Sequence, residues 1–194
     1  MSTIIRRAGI ADIPHLATFN IAAWGGVADI VYENAIPGRT VQEIIEHRFS
    51  RSNATSSHVN GWIAEHEGAI AGGLHAFPMD NEGNDPEDVL SNPDYQEIVA
   101  PFNHLHVPGS FYIEIVAVYP TYQGRGVARQ LIEVSEADAA ANGFEVMSLH
   151  VFDENVGARH LYESLGYREA GRCPLVNHPS LEYGGDLLVM THQL

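Results

Sequence analysis

The chain has 194 residues, enough for one domain with a substantial core. Ten arginines, no lysine and 25 acidic residues give a net charge of −15, which leaves little with which to build a nucleic-acid face. An apolar fraction of 45% excludes a disordered chain, and no apolar run approaches the roughly 20 residues that a membrane helix needs.

Thr3 to Ala8 reads as a first strand. The start M-S-T-I-I-R-R-A has no apolar signal segment, so a cytoplasmic protein is expected. Asp12-Ile13-Pro14 marks a helix start with proline in the first turn, and Leu16, Phe19 and Ala23 then share one face. A loop with Trp24, Gly25, Gly26 and Tyr32 leads to Pro37-Gly38. Thr40 and Glu43 form a capping box for a second helix reaching about Phe49. Strands near 61–66 and 69–77, joined at Glu67-Gly68, read as a hairpin. From Pro78 to Gly109 the chain is polar, acidic and proline-bearing, with a short helix expected near Tyr95 to Ala100. A stretch of that length reads as an insertion of the kind used as a lid.

Phe111 to Val118 is an apolar run that reads as a strand, followed by Y-P-T-Y-Q-G-R-G-V-A and a helix to about Ala141, stopped by Asn142-Gly143. A strand, a glycine-rich turn and a helix in that order suit a phosphorylated ligand. Glycines admit the anion close to the backbone, and the free N–H groups of the first helical turn point at it. Arg125 and Arg129 add positive charge at the same end. A plain structural turn is the competing reading. The segment is not a dinucleotide fingerprint, because the third glycine position falls on Arg129, and a chain without lysine has no Walker loop.

Glu145 to Phe152 is another strand, Asn155 to Leu165 a helix capped by Gly166, and strands follow near 167–172 and 186–192. The helix carries N-V-G-A-R-H-L-Y-E-S-L-G-Y, with Asn155, Ala158, Leu161, Tyr162, Leu165, Gly166 and Tyr167 in fixed spacing. On periodicity alone Tyr162 is a core aromatic and Asn155 a helix N-cap.

Together the glycine turn and this helix resemble the GNAT superfamily of acyl-CoA-dependent N-acyltransferases, closely over 111–168 and elsewhere in the order and length of elements. The resemblance implies a single α/β domain over 1–194. Its central sheet would be mixed and mostly antiparallel, of about seven strands with a splayed parallel pair, and helices would cover both faces. It further implies acetyl-CoA as co-substrate, bound by the core 111–168. Gln123, Gly124, Arg125, Gly126, Val127, Ala128 and Arg129 would take the pyrophosphate. The backbone of Val116, Ala117 and Val118, with Asn155 and Ala158, would take the pantetheine arm.

The implied reaction is transfer of an acetyl group to the primary amine of a small molecule by direct attack in a ternary complex. The lone thiol, Cys173, lies outside both motifs, which argues against a ping-pong route. A lysine-like amine has a pKa of about 10.4, so only about one molecule in 10³ to 10⁴ is free base at pH 7. Glu114, a carboxylate in an otherwise apolar strand, is the expected base or ammonium anchor. A charge paired with an arginine or facing solvent is the competing reading. Strict alternation would put Phe111, Ile113, Ile115 and Ala117 on one face and Tyr112, Glu114, Val116 and Val118 on the other. The resemblance gives the oxyanion to the backbone N–H of Val118 or a neighbour, and the general-acid role to Tyr162. Proton transfer from a phenol to a thiolate is uphill by about 2 kcal/mol, so a hydrogen bond that strengthens as charge develops serves equally well.

Trp24, Tyr32 and Tyr183 are expected around the acceptor, though each also suits ordinary packing. The eleven histidines form no H-E-x-x-H or Cys/His cluster, so no metal is expected. His150 reads as a core histidine or as one pointing into the cleft. The expected partners are acetyl-CoA and a small amine, with no nucleic acid or membrane and with a homodimer allowed. The acidic balance suits attraction of a cationic amine, or serves solubility alone. Two other readings stand beside this one: a protein or peptide N-terminal acetyltransferase, and a non-catalytic coenzyme-A-binding module. The presence of Tyr162 and Asn155 favours an enzyme.

Overall fold

The computed structural model describes residues 3–79 and 100–194. Among the described residues seven strands form one sheet: β1 (Thr3–Arg7), β2 (Gly61–His66), β3 (Ala69–Pro78), β4 (Phe111–Val118), β5 (Val146–Phe152), β6 (Arg168–Pro174) and β7 (Asp186–Gln193), in the order β1-β2-β3-β4-β5-β7-β6. Every neighbouring pair is antiparallel except β4 and β5. The mixed, mostly antiparallel sheet with one parallel pair is the architecture expected.

Helices α1 (Ile13–Ala23), α2 (Val27–Tyr32) and α3 (Val41–Ser50) lie on one face, and α4 (Val127–Ala141) and α5 (Val156–Ser164) on the other. Two cores result. Leu16, Phe19, Ile44, Ile45 and Phe49 pack with Ile63 and Ile115 beneath the first layer. Leu131, Ile132 and Tyr162 pack with Ile113, Leu149 and Met190 beneath the second.

Local chemistry sets the ends of these elements. Thr40 Oγ1 accepts from the Glu43 N–H at 3.2 Å while Glu43 Oε2 accepts from the Thr40 N–H at 2.8 Å, closing the capping box of α3. Asn155 Oδ1 accepts from the Ala158 N–H at 3.2 Å and caps α5. Asp12 accepts from both nitrogens of the Arg6 fork at 2.7 and 2.9 Å and from the Gly9 N–H at 2.7 Å, tying β1 to the start of α1. The Arg6 hydrogen bonds foremost hold the Asp12 carboxyl below its ordinary range, against the effect of burial.

Two sequence expectations change, and a third cannot be set against the described residues. The segment after Trp24 was expected to be loop, yet it contains α2, whose Val27, Ala28, Ile30, Val31 and Tyr32 are all buried. Strict alternation along β4 fails. His75 pairs with Ile115 and Ala76 with Ile113, so Glu114 is an extra residue in a β-bulge. The bulge exchanges the faces, and Phe111 and Ile113 join one core while Ile115 and Ala117 join the other. The helix expected near 95–100 falls almost wholly outside the described residues, as does most of the 78–109 insertion, whose end forms a 3-10 segment, Ala100–Leu105.

Candidate active site

The parallel pair opens early. β4 meets β5 only at Phe111–Met147, Tyr112–Ser148 and Ile113–Leu149. Beyond Ile113 the strands separate, and the β4 backbone from Glu114 to Val118 is unpaired on its β5 side while still laddered to β3 on the other. Just past the end of β4 the chain turns through Gly124 (φ 72°) and Gly126 (φ 77°) into α4. Gly126 caps α4 without a side chain, so the first-turn N–H groups remain open to a ligand. A Cβ at Gly124 would meet nothing within 4 Å, so glycine is kept there by backbone conformation and not by crowding.

From this turn a single cavity of about 920 Å³ runs past α5 and β4 to the α1–α2 corner. Among the expected donor-site residues, Val116, Ala117, Val118, Gln123, Gly124, Gly126, Val127, Ala128, Arg129, Asn155 and Ala158 line it. Arg125 does not; its guanidinium stands over the Tyr122 ring at 5.6 Å. Arg129 donates to Ser164 Oγ at 2.6 Å, which draws its head toward the end of α5. Gln123 Nε2 donates to the Val118 carbonyl at 3.3 Å and holds the turn against the strand.

Tyr162 and Glu114 both reach this cavity. Tyr162 is buried, and that burial pushes its phenol ionisation well above the ordinary value. It is therefore a phenol at neutral pH, able to donate. Glu114 faces neither an arginine nor open solvent: its side chain is 11% exposed, and Oε2 lies 2.7 Å from Nδ1 of His75, a wholly buried ring on β3. The two atoms meet away from hydrogen-bond alignment. His75 Nε2 donates to the Ser57 carbonyl at 3.1 Å, which fixes the ring.

The far end is made of side chains. Trp24, Tyr32 and Tyr183 all line it, with Phe77, Phe102 and Phe152. Trp24 and Tyr32 are 6.2 Å apart between ring centroids, and Phe152 stacks on Tyr183 at 5.1 Å. Arg48 enters the same wall over the Tyr32 ring and donates to Ser56 Oγ at 2.9 Å. The wall is held shut by a close backbone approach. The Glu182 N–H donates to the Gly25 carbonyl at 3.0 Å, and a Cβ at Gly26 (φ 92°) would stand 1.8 Å from the Ser180 carbonyl oxygen.

Sequence reasoning missed Tyr112, His106 and His75, and left His150 between two readings. His150 is half-buried and also lines the cavity, 3.2 Å from the Tyr112 hydroxyl, with the His106 ring stacked 5.5 Å away. These residues come from β3, β4, β5 and the segment before β4, so no local spacing announces them. Among the described residues no group of three or more His, Cys, Asp or Glu gathers as for a metal ion, and no helix is long and apolar enough to cross a membrane.

A splayed parallel pair, a glycine turn opening a helix and a tyrosine on the next helix together form the arrangement that the resemblance to the GNAT superfamily implied. The sequence profile of the Acetyltransferase (GNAT) family matches residues 29–167, and the chain belongs to that family. That family is one of acetyltransferases, and it uses acetyl-CoA. An uncharacterized N-acetyltransferase, YycN, of Bacillus subtilis is 36% identical over 64 residues, 33% of this chain and 41% of that protein, so the matched stretch spans less than half of that relative. Among solved structures, an N-acetyltransferase from Staphylococcus aureus Mu50 superposes with a TM-score of 0.69 at 21% identity, covering 97% of this chain and all of that one. YncA of Salmonella typhimurium, a putative acetyltransferase solved with its cofactor acetyl-CoA, superposes at 0.62 with 17% identity, covering 100% and 95%. At these identities the structural likeness speaks for the fold.

Proposed function

We propose that the chain, acting as one N-acetyltransferase domain, transfers the acetyl group of acetyl-CoA to the primary amine of a small molecule by direct attack in a ternary complex. The observation that carries this reading is the continuity of the cavity, which joins the glycine turn, Tyr162, Glu114 and an aromatic end in one space. The pyrophosphate fits the open N–H groups of Val127, Ala128 and Arg129, with the Arg129 charge beside them. The pantetheine arm fits the gap between β4 and β5, where the backbone from Glu114 to Val118 has hydrogen-bonding groups to spare, and Asn155 lines the opposite wall.

In this arrangement the amine nitrogen attacks the thioester carbon and gives one proton to Glu114. The carbonyl oxygen is stabilised by a backbone N–H of the free β4 edge, with Val118 the leading group. The C–S bond breaks with its electron pair on sulfur, which takes the Tyr162 proton or its strengthening hydrogen bond. The products are an N-acetyl amide and free coenzyme A. The aromatic end holds the body of the acceptor, and a cationic acceptor gains there from ring faces.

An acceptor screen over polyamines, amino acids, aminoglycosides and peptides, read by free thiol release, tests the reading. Small amines are expected to outrun peptides, and faster turnover of peptides would replace it with an N-terminal acetyltransferase. Tyr162→Phe is expected to lower kcat about 10²-fold while acetyl-CoA still raises the melting temperature. Undiminished turnover in that variant would remove the acid role.

A further inference from the structure

Tyr112, which the reaction above leaves unused, stands two residues before Glu114 on β4 and lines the same cavity. Its hydrogen-bonding state follows from its neighbours. His150 Nε2 lies 3.5 Å from the Leu105 carbonyl oxygen, a group that only accepts, so Nε2 carries the ring hydrogen. Burial, with His106 adding to it, pushes the His150 pKa down to about 4, and the ring is neutral at physiological pH. Nδ1 therefore presents a lone pair, and it faces the Tyr112 hydroxyl at 3.2 Å. Tyr112 donates its single hydrogen there. Burial, then the nearby Glu114 and Tyr162, push the Tyr112 ionisation far up, so it remains a phenol. Phe77 and His106 pack on its ring at 5.6 and 5.9 Å between centroids and keep it in place. The oxygen has only lone pairs left for the cavity.

We propose, resting on the function given above, that the Tyr112 oxygen and the Glu114 carboxylate are two acceptors that engage the two N–H bonds of an attacking primary amine, and so select primary amines over secondary amines and alcohols. The hydrogen held by Glu114 leaves as the C–N bond forms. The hydrogen held by Tyr112 stays on nitrogen and becomes the N–H of the amide. Both acceptors occupied, the nitrogen lone pair is the one direction left, and it points at the thioester carbon. A secondary amine or an alcohol has a single hydrogen. Given to Glu114, it leaves Tyr112 facing carbon or another lone pair, and a buried acceptor without its donor is costly. His150 is a positioning residue in this scheme, because it fixes which way the Tyr112 hydroxyl points and never meets the amine.

The test compares kcat/KM for benzylamine and 1,4-diaminobutane, each against its N-methyl derivative, in the wild-type protein and in Tyr112→Phe, His150→Ala and His150→Asn. The wild type is expected to favour the primary amines. Tyr112→Phe is expected to reduce that preference up to about tenfold, by slowing the primary amines, with the KM for acetyl-CoA unchanged. His150→Ala reduces it in the same direction, since the freed hydroxyl can then turn its hydrogen into the cavity. His150→Asn restores part of it, because the amide oxygen can accept from Tyr112. Equal slowing of primary and N-methyl amines in Tyr112→Phe would overturn the proposal, as would loss of thermal stabilisation by acetyl-CoA in that variant. A wild-type protein that releases no thiol with any amine in the wider screen would sink the acetyltransferase reading itself, and this inference with it.

Discussion

The two ends of the cavity are built on different principles. The end assigned to acetyl-CoA uses main-chain groups: the free edge of β4 beyond Ile113 and the open first turn of α4. The end assigned to the acceptor uses side chains from α1, α2, α3, the end of β5 and the segment before β7, with Trp24, Tyr32, Arg48, Phe152 and Tyr183 drawn together from distant parts of the chain. A main-chain site makes local demands, since glycines must fall where the backbone turns to the left. A side-chain site makes tertiary ones. The first kind tolerates most side-chain change, while the second is retuned by any single substitution.

Glycine exchange should break the comparison most sharply. Gly26→Ala puts a Cβ on the Ser180 carbonyl at a left-handed position and should cost about 3 kcal/mol or more, seen as a drop in melting temperature and as loss of acceptor turnover. Gly124→Ala, with open space around it, should cost about 1 kcal/mol and act on acetyl-CoA affinity alone. Equal costs would mean that the α1–α2 corner does not fix the acceptor wall.

The arginines give a smaller contrast within the donor end. Arg129→Ala should weaken acetyl-CoA binding about three- to tenfold by calorimetry, whereas Arg125→Ala, whose head stands over Tyr122 outside the cavity, should change it no more than about twofold. The reverse order would move the pyrophosphate to the outer side of the turn.

The last contrast belongs to His150 and depends on pH. Its folded pKa of about 4 lies below the ordinary 6.5, so the unfolded chain binds the extra proton first as pH falls. Its contribution is fully present above about pH 6.5 and is lost as pH falls toward 4, at no more than about 1.4 kcal/mol per pH unit. Melting curves from pH 7 to 4 should fall less steeply for His150→Asn than for the wild type, and parallel curves would show that the ring is not held neutral by its site.

The same divide explains what could be read from the residues. The glycine turn and the helix after β5 were legible because Q-G-R-G-V-A and the Asn155–Tyr162 spacing are contiguous, and because capping at Thr40 and Asn155 leaves a local mark. Short α2 was not, since six residues give too little period and Gly25-Gly26 reads as punctuation. The bulge was not, because an extra residue in a strand has no required residue type when its φ is negative. Glu114 looked like a lone charge because its neighbour His75 lies on another strand, 39 positions away by number but 2.7 Å in space.

That extra residue at Glu114 also governs how the chain tolerates change in length. Before it, odd-numbered side chains of β4 fill the core beneath α4; after it, even-numbered Val116 and Val118 do, while Ile115 and Ala117 fill the core beneath α1. Deleting one residue on the N-terminal side of the bulge while the β3 pairing holds would turn Phe111 outward from its core and Tyr112 away from the cavity at once. The strand is thus a one-position vernier. Its count of residues, more than their polarity, sets which layer each end of the cavity belongs to.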